Sequence, residues 1–161
     1  MPMPPAEEWG RAPVTPEPGL DVPGAASGPQ PRGWPGAELT AERLVALRGA
    51  TTVEADTAAA VLKRTSELLA ALLERNGVEH DQLVSIIFTA TKDLHSEFPA
   101  AAARAIGLGD VPLLCASELD VTEGNPGTIR VLIHCYSTRP RPTLRHVYLH
   151  DAKHLRDDLP G

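Results

Sequence analysis

Residues 43–54 read Arg-Leu-Val-Ala-Leu-Arg-Gly-Ala-Thr-Thr-Val-Glu. The first six have the composition of a buried strand, and Gly49 marks its expected end. Just beyond, Asp56-Thr57 offers a helix cap. Val61, Leu62, Thr65, Leu68, Leu69, Leu72 and Leu73 then recur at helical spacing as far as Asn76-Gly77, a natural C-cap. Leu83–Thr91 (LVSIIFTAT) reads as a second strand because it is rich in β-branched residues. Asp93–Ser96 is expected as a loop, and Pro99 suits the first turn of a short helix ending at Gly107. Val111–Cys115, Ile129–Tyr136 and Arg145–Leu149 supply a short third strand, a long fourth and a short fifth. Strands and two main helices therefore alternate irregularly, which predicts an α+β or α/β domain over residues 41–161, without internal repeats.

At 161 residues the chain holds one domain, or one domain and a tail. A hydrophobic content of 42% suffices for a core. With aromatics at 4%, Leu, Val, Ile and Ala must fill it. The first forty residues carry ten of the sixteen prolines and six of the thirteen glycines and lack a periodic apolar pattern. Such a segment cannot bury enough surface to offset its ordering entropy, so residues 1–40 are expected to be a disordered, passive extension. The net charge of −6 argues against a nucleic-acid partner, whose footprint is normally a basic patch. No apolar run approaches the ~18 residues of a membrane span, and the N-terminus lacks the charged and apolar regions of a secretory signal. Cys115 and Cys135 fit neither a disulfide framework nor a zinc knuckle, so a cytoplasmic setting is expected.

His146, His150 and His154 sit four apart, but the strand-like composition of Arg145–Leu149 spreads them. Four strand residues span roughly 13 Å, too far for two ligands of one zinc. No Ser-His-Asp pattern, nucleophile elbow, P-loop or dinucleotide fingerprint is present. Cys115 ends an apolar strand and reads as a small buried thiol. Twelve of the fifteen basic residues are arginines, for which GC-rich coding is a sufficient account. Particular arginines still stand out. Arg48 ends the first strand, and Arg130 lies among β-branched residues, where a guanidinium needs an acceptor. Glu118, after the third strand, is placed to supply one. From the residues alone, two readings stay open: a partly buried ion pair that joins strands, or a ligand site.

Longer blocks add to this. Leu47–Glu54, Ala90–His95, Phe98–Ala100, Val111–Cys115 with Glu118–Val121, Ile129–Val131, Arg145–Leu149 and Leu155–Leu159 together resemble the monofunctional AroH-class chorismate mutases, in the family's order and near its spacing. The resemblance implies a homotrimer whose mixed sheets and outer helices form a pseudo-α/β barrel, with an active site in each cleft between subunits. It implies chorismate as substrate and prephenate as product, with no metal or organic cofactor. Arg48 matches the arginine that grips a substrate carboxylate, and Arg130 the cation facing the ether oxygen of the breaking C–O bond. Glu118 matches the acid that holds the substrate hydroxyl and fixes the arginines; Cys115 and Tyr148 match pocket-lining residues. Phe98 and Arg104 match positions supplied by the neighbouring subunit, and Leu155 and Arg156 the mobile C-terminal segment over the site. Ala101 departs from the family's lysine in the Phe-Pro-Ala-Lys stretch, leaving Arg104, one helical turn on, to supply that cation. Asp157 stands where proline is usual. The alternatives are a reactive-imine deaminase, which the Arg-Gly-Ala-Thr-Thr and Cys-x-x-Glu blocks argue against, and a non-catalytic trimer that binds a carboxylate metabolite.

Overall fold

A computed structural model describes residues 41–121 and 124–156, with side chains as far as His154. The expected disorder of residues 1–40 and the departure at Asp157 lie outside the described residues. In chain order the elements are β1 (Arg43–Thr52), α1 (Ala58–Asn76), β2 (Leu83–Ala90), α2 (Pro99–Ala105), β3 (Leu113–Ser117), β4 (Thr128–Ser137) and β5 (Val147–Tyr148). Short 3₁₀ turns occupy His80–Gln82, Arg141–Thr143 and His150–Arg156. The strands form one mixed sheet in the order β3-β2-β4-β1-β5. β4 pairs antiparallel with both β1 and β2, whereas β3 and β5 run parallel to their neighbours.

The caps of α1 agree with the sequence reading. Thr57 accepts the Ala60 N–H at 3.2 Å, and Gly77 adopts the left-handed conformation, φ 60°, that only glycine takes without strain. Between the caps, Val61, Thr65, Leu68, Leu69 and Leu72 are buried. Leu68, Leu69 and Leu72 pack with Leu47, Ile86, Phe88, Val131 and Ile133 from the strands and with Ala100 and Ala103 from α2, while Val61 packs in a smaller cluster with Val53 and Ile129. Both helices thus cover one face of the sheet. Alternation along β1 (Val45, Leu47) and β4 (Val131, Ile133, Cys135) turns one set of side chains into the main core.

Three strand boundaries differ from expectation. Gly49 does not end β1, which continues to Thr52. A Cβ at Gly49 would lie 2.7 Å from Leu72 Cδ1, 2.9 Å from Leu68 Cδ1 and 3.1 Å from the Val147 carbonyl oxygen. The glycine is there for close approach of α1 and β5. β3 begins at Leu113, after Pro112, whose nitrogen carries no hydrogen for the ladder. β5 contracts to Val147–Tyr148. The Asn76 side chain takes both backbone groups of Arg145, each at 2.8 Å, and His146 Nδ1 accepts the Arg48 N–H at 3.1 Å. Side chains therefore replace ladder bonds ahead of the two paired residues.

No helix among the described residues covers the opposite face of the sheet. Register places Leu44 beside Tyr136, Ala46 beside His134 and Arg48 beside Leu132. Leu132 in turn neighbours Ile87, and Ile87 neighbours Leu114. Leu44 and Leu114 are 57% and 58% exposed. This is an apolar surface left open to solvent within one chain.

Candidate active site

One transverse row of that open face carries the polar groups. Tyr148 on β5 pairs with Ala50 on β1, Ala50 with Arg130 on β4, and Arg130 with Thr89 on β2. Paired residues project to the same side, so four strands bring these side chains into one line. Ala50 contributes only a methyl group between Tyr148 and Arg130. Arg48, opposite Leu132, is a diagonal neighbour of Arg130 on the same face, about 7–8 Å away by sheet geometry.

Glu118 completes the row. It follows β3, and its backbone N–H donates to the Ala90 carbonyl at 2.9 Å, which seats it beside the end of β2. Its carboxylate is only 14% exposed and forms an ion pair with the Arg130 guanidinium through Nη1 and Oε2. The Thr89 hydroxyl donates to the other oxygen, Oε1. Arg130 has no further hydrogen bond among the described residues and is about one-third exposed, so Nε and Nη2 remain available as donors. The Tyr148 hydroxyl is buried and without a hydrogen-bond partner among the described residues. A buried phenol is normally paired, so this one marks the row as poised for a further polar contact.

The remaining predicted residues are more dispersed. The Arg48 side chain is exposed, with its backbone fixed by His146. Cys115 points to the helical side, opposite Phe88 on β2. It lines a cleft of about 480 Å³ together with Thr89, Leu94, His95 and Phe98. Phe98 stands 67% exposed at the start of α2. Arg104 is exposed in the last turn of α2 and, among the described residues, forms no hydrogen bond or ion pair with Glu118 or Arg130. The side chains of Leu155 and Arg156 lie outside the described residues; their backbone belongs to the final 3₁₀ turn.

The walls of the cleft are pinned by carboxylates. Asp56 Oδ1 accepts the N–H groups of His95 and Ser96, both at 3.0 Å. Hydrogen bonds from the Ser96 side chain and backbone, and from His95, hold the Asp56 carboxyl below its ordinary range. Burial raises the carboxyl of Asp93, but hydrogen bonds from Thr91 and the Gly127 N–H outweigh it and keep it ionised to lower pH. Gly127 is at φ 62°, and a Cβ there would meet the Val53 oxygen at 2.7 Å.

Residues 44–159 match the family model described as chorismate mutase type I. Chorismate mutase AroH of Thermus thermophilus is 49% identical over 114 residues, which are 70% of this chain and 93% of that protein.

The chain belongs to the type I chorismate mutases.

Chorismate mutase AroH of Bacillus subtilis (strain 168) is 42% identical over 114 residues, 70% of this chain and 90% of its own length. A chorismate mutase from Clostridium thermocellum superposes with a TM-score of 0.67 at 44% identity, covering 68% of this chain and 97% of its own. The five-stranded mixed sheet with two helices is thus the fold of a chorismate mutase. The deaminase and binder alternatives gain no support from these matches. In this chorismate mutase the ion pair read from composition and the ligand site read from resemblance share the same residues, Arg130 and Glu118. Thr89 was missed. Strand alternation from Ser85 through Ile87 puts it on the open face, but only the register of β2 against β4 sets it opposite Arg130.

His150 opens a 3₁₀ turn at φ 53° and contacts Arg64 at 3.1 Å and Glu67 at 3.3 Å. Arg64 is also bound by Glu54, with a contact of 2.9 Å. The three-histidine spacing is thus divided: His146 serves the Arg48 amide and His150 a charge cluster on α1.

Proposed function

We propose that this chorismate mutase rearranges chorismate to prephenate against the row formed by Arg130, Glu118 and Tyr148. The observation that carries the reading is the half-committed guanidinium of Arg130. One nitrogen is held by a carboxylate that is itself anchored, while the others stay free on an open sheet face.

A pericyclic rearrangement needs neither nucleophile nor general base. The protein has to hold a flexible dianion in its compact reactive shape and stabilise the negative charge that grows on the ether oxygen as the C–O bond breaks. Guanidinium suits both tasks because it stays protonated and presents a planar fork of donors. In this reading Arg130 faces the ether oxygen, Arg48 grips a carboxylate, and Glu118 receives the substrate hydroxyl on lone pairs left by Thr89 and Arg130. Tyr148 lines the pocket beside Arg130, while Cys115, whose side chain faces the helical side, borders the neighbouring cleft. No metal or organic cofactor takes part.

The site is completed by a second copy of the chain. Phe98 and Arg104 act from the neighbouring subunit, and the segment carrying Leu155 and Arg156 closes over the substrate. The helix-free face supports a homotrimer, since Leu44, Leu114 and Tyr136 are exposed there on a sheet that needs cover. The two free thiols, Cys115 and Cys135, fit a cytoplasmic enzyme.

The test is to incubate the purified chain with chorismate and follow prephenate by NMR. Conversion well above the spontaneous rearrangement is expected. Conversion at the spontaneous rate would reject catalysis and favour a carboxylate-binding trimer.

A further inference from the structure

We propose that Thr89 is a positioning residue for the rearrangement, acting through Glu118 to keep part of the Arg130 guanidinium free for substrate. This rests on the assignment of Arg130 and Glu118 as the reacting-site pair.

The bland account of Thr89 is that a β-branched residue suits a strand. Valine would serve that purpose equally. What sets threonine apart is its hydroxyl, which donates to Glu118 Oε1 while Arg130 binds Oε2. Thr89 lies directly opposite Arg130 in the antiparallel register of β2 and β4. Glu118 enters from β3 with its backbone tied to Ala90, one residue along from Thr89. Three strands therefore converge on one carboxylate.

The consequence is geometric. A glutamate held only by one guanidinium N–H can turn about its terminal bond, a broad and soft torsion. A second donor on the other oxygen fixes the carboxylate plane, and Thr89 is a stiff donor because its χ1 is restricted. With Oε1 occupied by the hydroxyl, Glu118 is discouraged from pairing with Arg130 in the two-point arrangement that carboxylates favour. That arrangement would consume a second guanidinium nitrogen. Thr89 thus reserves donors of Arg130 for charge that develops in the transition state.

Three variants and a background test this: Thr89→Val, Thr89→Ser, Thr89→Ala, and Thr89→Val combined with Glu118→Gln. Rates of prephenate formation are measured over a range of chorismate concentrations, and folding is checked by thermal unfolding. Thr89→Val is expected to lower kcat by about tenfold, equivalent to about 1.4 kcal/mol, with KM changed less than about threefold. Thr89→Ser, which keeps the donor, is expected to retain kcat within about threefold of wild type. Should the valine variant fold poorly, Thr89→Ala carries the same expectation. In the Glu118→Gln background the valine substitution is expected to cost less than about twofold, because its effect passes through Glu118. Wild-type kcat in Thr89→Val, equal losses in Val and Ser, or the same loss in both backgrounds would overturn the proposal. Failure of the underlying assignment reads differently: Arg130→Ala would keep full turnover whatever occupies position 89.

Discussion

A guanidinium on a central strand is costly unless something meets it, and Arg130 is met on only one side. Its Glu118 partner holds it in place without exhausting its donors. Replacing Arg130 by lysine keeps the charge but loses the planar fork, so Arg130→Lys is expected to recover little of the activity lost in Arg130→Ala. Steady-state rates of prephenate formation for the two variants make that comparison, and a lysine enzyme close to wild type would mean that a point charge suffices. Much of this pair was legible beforehand. An arginine among β-branched residues called for an acceptor, and Glu118 lay at a strand end able to provide it. The role of the pair was not legible from composition, because a structural ion pair and a ligand site use the same two residue types. The ordered blocks of family resemblance favour the ligand site, which is the reading we propose. Thr89 stayed invisible because a cross-strand contact depends on register, which hydrophobic alternation does not specify.

At the scale of elements, the helix between Thr57 and Gly77 was readable at both ends, since its caps are local chemistry. Removing the N-terminal cap with Thr57→Ala is expected to cost about 1 kcal/mol, measurable by chemical denaturation. The boundaries at Gly49 and ahead of β5 have long-range causes, whereas β3 starts late because of the adjacent Pro112. Gly49 looked like a strand end, yet it is the point where Leu68, Leu72 and Val147 press on β1. Gly49→Ala is therefore expected to destabilise the fold by about 1–3 kcal/mol through overpacking, and an unchanged denaturation midpoint would refute that account. The segment before α2 depends on Asp56, which fixes His95 and Ser96 ahead of Phe98. Asp56→Ala is expected to raise KM for chorismate more than it lowers kcat, since it loosens a cleft wall and leaves the Arg130 row intact. The clamp also has a pH signature. The folded carboxyl titrates below its ordinary value near 3.8. Its contribution is full above that value and is lost as pH falls through the lower, folded one. Protection of the His95 and Ser96 amides, measured as exchange relative to the intrinsic rate at each pH, should therefore fall only in acid, and Asp56→Ala should abolish that loss of protection.

For the whole molecule, the sheet face that no described helix covers, and the placement of the exposed Arg104 on α2, which packs on the other face, favour a site shared between copies of the chain. Nothing in the periodicity of single strands foretold an uncovered face, because alternation says that one side is apolar without saying what covers the other. On this account, mixing inactive Arg130→Ala with inactive Arg104→Ala chains under conditions of subunit exchange should restore activity. Some clefts then receive intact residues from both neighbours. No recovery among trimers shown to be mixed would place Arg104 outside the site. The measurement that bears most directly on the central claim is the rate of prephenate formation by Arg130→Ala beside wild type, read by NMR with the fold verified. Loss of a donor aimed at developing charge predicts a fall of at least roughly 10²–10³-fold. A folded Arg130→Ala enzyme within about tenfold of wild type, or under ~1.4 kcal/mol of lost stabilisation, would contradict it.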